Sequence, residues 1–133
     1  MVVSIKAVSS GFENGHMYSE EIYKGDGLAE TLQKLFQANG KIDPIQEVYS
    51  SMNGENHWAK EWGVAFMRNQ DKFDTEHNMY HPADCFGDTG AASGPLMIGM
   101  AIIGMKKEYI KSPCLITCSS DYSDRAGVII ELK

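Results

Sequence analysis

No lysine or arginine run stands out in this 133-residue sequence. Its 12 Lys and Arg are outnumbered by 18 Asp and Glu, leaving a net charge of −6. A nucleic-acid surface needs clustered positive charge to displace counterions, so no nucleic-acid partner is expected. An acidic surface instead steers basic protein partners. Cysteine is scarce too. Cys85, Cys114 and Cys118 form an odd set without disulfide-framework spacing, which points to reduced thiols and a cytoplasmic protein. The N-terminus lacks a basic segment ahead of a long apolar core, so no secretory signal is expected. Nor does any apolar run reach the ~20 residues of a membrane span. The longest, Ala91 to Met105, is broken by Gly94, Pro95, Gly99 and Gly104 and reads as a buried helix, with no membrane contact. His16, His57, His77 and His81 lack the paired spacing of zinc ligands. Gly25-Asp26-Gly27 puts a carboxylate where a phosphate would sit. No metal and no cofactor is expected.

What is present is an ordinary globular composition, 43% apolar and 23% charged, in a length that suits one domain over residues 1–133. Val2, Val3, Ile5, Ala7 and Val8 predict a strand, and Gly11 to Gly25 a polar connection. Asp26 is placed to N-cap a helix whose Leu28, Leu32, Leu35 and Phe36 share a face, with Asn39-Gly40 as its stop. "IQEVYSSM" predicts a second strand. A helix opens at Asn56 with Trp58, Trp62, Ala65, Phe66 and Asn69 at helical spacing, and the polar "RNQDKFDTEHN" closes that unit. A short extended segment is expected over Met79 to Cys85, then a helix over Ala91 to Lys107. "CLITCSS" and "AGVIIEL", separated by "DYSDR", predict a hairpin. The order β-α-β-α-β-α-β-β implies an α/β domain with a mixed sheet.

The 91–105 helix is apolar in every direction and must be covered on all sides. One sheet covers one face of it. Leu96, Met97, Met100 and Ile103 are therefore candidates for contact with a partner, either a second copy of the chain or another protein.

Several residues admit both a structural and a functional reading. Asp88, between Gly87 and Thr89, suits a turn or N-cap, and Asn53-Gly54 is a common turn dipeptide. Glu55, Glu61, Trp58 and Trp62 suit either a recognition surface or, for the tryptophans, a helix core. Cys118 lies in an apolar strand and reads as a buried small hydrophobe. Cys85 has His81 shortly before it, but nothing supplies the third group that would orient a thiol–imidazole dyad.

Gly87-Asp88-Thr89-Gly90-Ala91-Ala92-Ser93-Gly94 opening an apolar helix, "VYSSMNGE" upstream, and a hairpin with Cys118 ahead of Ala126 and Glu131 resemble one superfamily. It is the C-terminal half of the thiolases, which include the β-ketoacyl synthases. Asn53-Gly54-Glu55, Trp58, Glu61-Trp62-Gly63 and "HPADCFGDTGAASG" are more closely similar to degenerate thiolase-like proteins found beside type VI secretion effector genes.

That resemblance implies half of a thiolase-like fold with a buried central helix. Family enzymes form an acyl-cysteine on a residue of the N-terminal half, which these residues do not match. The family's histidine position holds Asp88, whose carboxylate would repel both a thiolate and an oxyanion. Its lysine position holds Ala83. Asn53 and Cys118 match the thiolases' asparagine and proton-donating cysteine, so Asn53, Asp88 and Cys118 mark a vestigial site. The resemblance thus implies a non-catalytic protein acting through contacts, as a homodimer or with a protein supplying the missing half, in an accessory or adaptor role for a secretion effector. Two alternatives stand beside it. One is the C-terminal subunit or fragment of a ketoacyl synthase or acyltransferase whose nucleophilic cysteine is on another chain; the other is an immunity protein.

Overall fold

The computed structural model describes residues 2–38 and 40–133. Five strands form one mixed sheet in the order β1-β5-β4-β2-β3. β5 (Asp124–Leu132) runs antiparallel to both of its neighbours, β1 (Val3–Phe12) and β4 (Cys114–Ser119), whereas β2 (Ile45–Ser50) runs parallel to both β4 and β3 (Phe73–Tyr80). α1 (Asp26–Gln37) and α2 (Asn56–Asn69) cover one face of the sheet, and α4 (Ser93–Lys106) covers part of the other. A single helical turn, α3 (Ala83–Phe86), links β3 to the approach to α4.

Two cores follow from this layering. Leu28, Leu32, Leu35 and Phe36 of α1 pack on Ile45, Val48, Leu115 and Ile129 of the sheet. On the opposite face, Met97, Ala101 and Met105 of α4 pack on Tyr49, Ile116 and Ile130. β2 lies between β4 and β3 and is buried on both faces, and even its Glu47 is only 1% exposed. β3 is an edge strand, half-exposed and polar, with Asp74, Glu76 and His77 discouraging further pairing.

Several expected boundaries move. β1 extends through Gly11 and Phe12 because β5 reaches back to meet them at Arg125 and Asp124. Asp26 does not cap α1: Gly25 holds the cap position in the left-handed conformation, φ 74°, and Asp26 instead accepts a hydrogen bond from Arg68 Nη2 at 2.6 Å. The expected stop at Asn39-Gly40 falls partly on a residue outside those described. Within the polar stretch after α2 lies β3, and beyond Tyr80 the chain turns into α3 in place of an extended segment to Cys85. A 3-10 turn over Gly90–Ala92 delays α4 to Ser93. The hairpin of β4 and β5 forms where expected, with Cys118 opposite Ala126.

In this single chain α4 is not covered on all sides. Ile103 is 52% exposed, and Leu96 and Met100 are half-buried. Met97, expected with them at a partner contact, is 1% exposed because it points into the sheet. The outward stripe is therefore Leu96, Met100 and Ile103 without Met97.

Candidate functional site

At one edge of the sheet the end of β1, the loop after β2, the entrance to α4 and the β4–β5 hairpin enclose a cavity of about 540 Å³. Asn53, Asp88 and Cys118 all line it, together with Ser51, Trp58 and Tyr122. Three residues separated widely in sequence thus meet in one place. Asn53 is held by its own loop: its Oδ1 accepts from Glu55 N at 3.2 Å, and its Nδ2 donates to Glu55 Oε1 at 2.9 Å. The same Nδ2 donates to Asp88 Oδ2 at 3.2 Å. Asp88 Oδ1 accepts from Gly90 N at 2.8 Å, closing a turn that needs the positive φ of Gly90, 60°. Both carboxylate oxygens of Asp88 are therefore occupied in bracing the loop that leads to α4.

Cys118 packs against the first turn of α4. A Cβ added at Gly94 would lie 3.3 Å from its Sγ, so the glycine permits that approach. Burial pushes the Cys118 thiol above its ordinary range. A protonated thiol is a poor nucleophile, since the thiolate is the reactive form. Among the described residues no imidazole lines the cavity, and Ala83 lies outside it, as the first residue of α3. The wall carries Asp88, Asp121 and Asp124.

Beneath the cavity floor lies a buried polar network. Arg125 Nε donates to Glu61 Oε2 at 2.6 Å, and Ser119 Oγ donates to Glu61 Oε1. Arg125 Nη1 donates to the carbonyls of Ser120, Tyr122 and Asp124 at 3.0, 2.8 and 2.9 Å, which fixes the hairpin turn. The guanidinium also sits 5.6 Å from the Trp58 ring centre. Tyr23 donates its hydroxyl to His57 O at 2.9 Å and to Glu61 Oε2 at 3.4 Å. Burial, and secondarily Glu61, raises the Tyr23 hydroxyl well above its ordinary value, so it remains a donor.

Glu61 and Trp58 are thereby interior residues, 2% and 5% exposed, and not part of a recognition surface; Glu55 is exposed. Cys85 is exposed on α3, and no hydrogen bond joins it to His81, so these two form no dyad. Sequence reasoning missed Arg125 and Tyr23. Arg125 carries a signal, a positive charge directly ahead of the run Ala126 to Ile130, and Glu61 lies on the helix face of Trp58 and Ala65. Nothing in their spacing pairs the two. Among the described residues no three His, Cys, Asp or Glu side chains converge on a metal-binding point, and no helix is long and apolar enough to cross a membrane.

No protein-family model and no curated protein matches the sequence. Solved structures do match by fold. A ketosynthase domain of oxazolomycin biosynthesis, OzmH KS8 from Streptomyces albus JA3453, superposes with a TM-score of 0.79 at 9% identity. It covers 97% of this chain and 44% of that domain. The ketosynthase from module 1 of the bacillaene synthase of Bacillus amyloliquefaciens FZB42 gives a TM-score of 0.68 at 12% identity, covering 97% of this chain and 30% of that one. The chain thus spans less than half the length of these ketosynthases, and its mixed sheet with four helices is half of a thiolase-like ketosynthase fold.

Proposed function

We propose that this chain is a non-catalytic thiolase-like half that works through protein contacts made by the outer face of α4. The carrying observation is the apolar stripe Leu96, Met100 and Ile103, left open on a helix whose inner face is already packed. Soluble proteins rarely leave such a continuous apolar surface uncovered. The cavity chemistry supports the non-catalytic part of this reading. Its thiol is held protonated by burial, its carboxylate Asp88 is committed to two hydrogen bonds, and no imidazole faces it. The accessory role at a type VI secretion effector belongs to the same reading and rests on the sequence resemblance.

A second reading, the C-terminal part of a ketoacyl synthase or acyltransferase whose nucleophile lies elsewhere, is favoured by the cavity itself, which retains Asn53 and Cys118 in contact with one space. Incubation of the chain, together with any protein that co-purifies with it, with a short-chain acyl-CoA, followed by mass and peptide mapping of every chain present, separates the two. The expected result is an unchanged mass throughout. An acyl adduct on a cysteine of the co-purifying chain, or on Cys118 or Cys85, would overturn the non-catalytic reading.

A further inference from the structure

We propose that the mouth of the cavity is a docking surface in its own right, separate from the outer face of α4. Its occupant is a segment of a partner protein that carries a lysine or arginine flanked by apolar side chains. Three features of the chain carry this inference.

The first is uncompensated charge. Asp88, Asp121 and Asp124 line one cavity of about 540 Å³, and all three are exposed. Asp88 accepts from neutral donors, Asn53 Nδ2 and Gly90 N. Among the described residues the salt bridges are made by Lys6, Arg68, Lys72 and Arg125, and none reaches these three aspartates. Arg125 is the one cation among the described lining residues, and its charge is met by Glu61 at 2.6 Å. Like charges facing one space repel, and a cation placed among them relieves that repulsion.

The second is apolar surface at the mouth. Phe12 is 71% and Tyr122 63% exposed, and both line the cavity. The aromatic surface continues outward from Tyr122, whose ring centre lies 5.2 Å from that of Tyr18 and 5.9 Å from that of His16. Tyr18 is itself 63% exposed, and neither it nor His16 belongs to the cavity wall. A small ammonium ion would fill the cavity and leave this ledge bare. A polypeptide segment covers both, its cationic group against the Tyr122 ring and the carboxylates, its apolar neighbours on Phe12 and Tyr18.

The third is rigidity. Arg125 Nη1 donates to the carbonyls of Ser120, Tyr122 and Asp124, fixing from within the turn that presents Asp121, Tyr122 and Asp124. An exposed hairpin tip held by a buried guanidinium is ordered before a partner arrives, so little conformational entropy is lost on docking. The net charge of −6 steers a basic partner toward the chain.

The test is fluorescence anisotropy of two labelled synthetic peptides titrated with the full chain, one alternating leucine with arginine and the other leucine with glutamate. Only the arginine peptide is expected to bind. Tyr122→Ser, and the pair Asp121→Asn with Asp124→Asn, should each weaken it roughly tenfold, as loss of a central contact does. Tyr122→Phe should retain binding. So should Asp71→Asn with Glu76→Gln, which removes the same charge at exposed positions by the opposite edge strand β3. Equal losses in the two charge-removing pairs, equal binding of the glutamate peptide, or no binding of either peptide would overturn the inference, and none of these results bears on the α4 face.

Discussion

Arg125 and Glu61 meet in the interior at 2.6 Å, with the Arg125 side chain fully shielded from solvent and that of Glu61 2% exposed. One residue comes from the start of β5 and the other from the middle of α2, so the pair ties the cavity-bearing hairpin to the helix behind it. Coulomb attraction alone does not stabilise such a pair strongly, because both charges are taken out of water. Its strength lies in the further bonds: Ser119 and Tyr23 on the carboxylate, and three carbonyls on the guanidinium.

Removing one member leaves an uncompensated buried charge. Arg125→Met and Glu61→Gln are each expected to cost about 3–5 kcal/mol in urea unfolding. The double variant Glu61→Leu, Arg125→Met is expected to recover part of that loss. A loss in the double variant equal to the sum of the single losses would mean that the two residues act independently.

His57 gives the fold a dependence on pH. Its ring stacks on Tyr23 with centres 3.9 Å apart, its Nε2 is buried without a partner, and burial lowers its pKa. As pH falls, the unfolded chain takes up this proton first. The contribution of neutral His57 is therefore full above the unfolded value of ~6.5 and is lost as pH falls from there through the depressed folded value. Thermal unfolding between pH 7.5 and pH 5, chosen as about one unit or more either side of that value, is expected to show a falling midpoint. His57→Phe is expected to flatten this slope, and a variant that keeps the wild-type slope would assign it to another group.

The three thiols are expected to differ in reactivity. Cys85 is exposed on α3. Cys118 is raised by burial, and the Cys114 thiol is pushed up to about 12 by burial and then by nearby Glu47. Because only the thiolate reacts, a maleimide should label native protein at Cys85 first, at Cys118 slowly and at Cys114 only after unfolding. Peptide mass mapping over time checks the order, and early labelling of Cys118 would show a reactive cavity thiol.

Asp88 braces the approach to α4 by accepting from Asn53 and Gly90. Asp88→Ala removes both acceptors at an exposed site and is expected to cost about 1 kcal/mol. Asn53→Ala in the Asp88→Ala background should then cost less than it does alone, which unfolding of the four proteins measures. Purely additive losses would mean that the Asn53–Asp88 bond carries no coupling.

How far the sequence anticipates this structure depends on where each signal resides. α1 is legible because Leu28, Leu32, Leu35 and Phe36 form one stripe, and β2 because Ile45, Val48 and Tyr49 follow the boundary at Asp43-Pro44. β3 is not, since an edge strand of Asp, Thr, Glu and His owes its conformation to pairing with β2, with Val48 opposite Met79 and Tyr49 opposite Tyr80. Asp26 reads as a cap, yet Gly25 reaches a left-handed conformation that spares it for Arg68. Asn53, Asp88 and Cys118 can be grouped through resemblance to a superfamily. The Glu61–Arg125 pair cannot, because no local pattern links a charge on a helix to one on a distant strand. The apolar character of α4 announces that it needs cover, but periodicity alone does not tell that Met97 faces the sheet while Leu96 and Ile103 face away.

The most direct measurement of the central claim is the sedimentation-equilibrium mass of the full chain at micromolar concentration, for wild type and for Ile103→Glu. The account predicts an assembly heavier than the 14.7 kDa single chain for the wild type, by itself or as isolated with its partner from the producing cells, and a folded single-chain mass for the variant, because a carboxylate at the helix contact would be buried unpaired. A wild type that stays a single chain in both preparations, indistinguishable from the variant, would contradict the account.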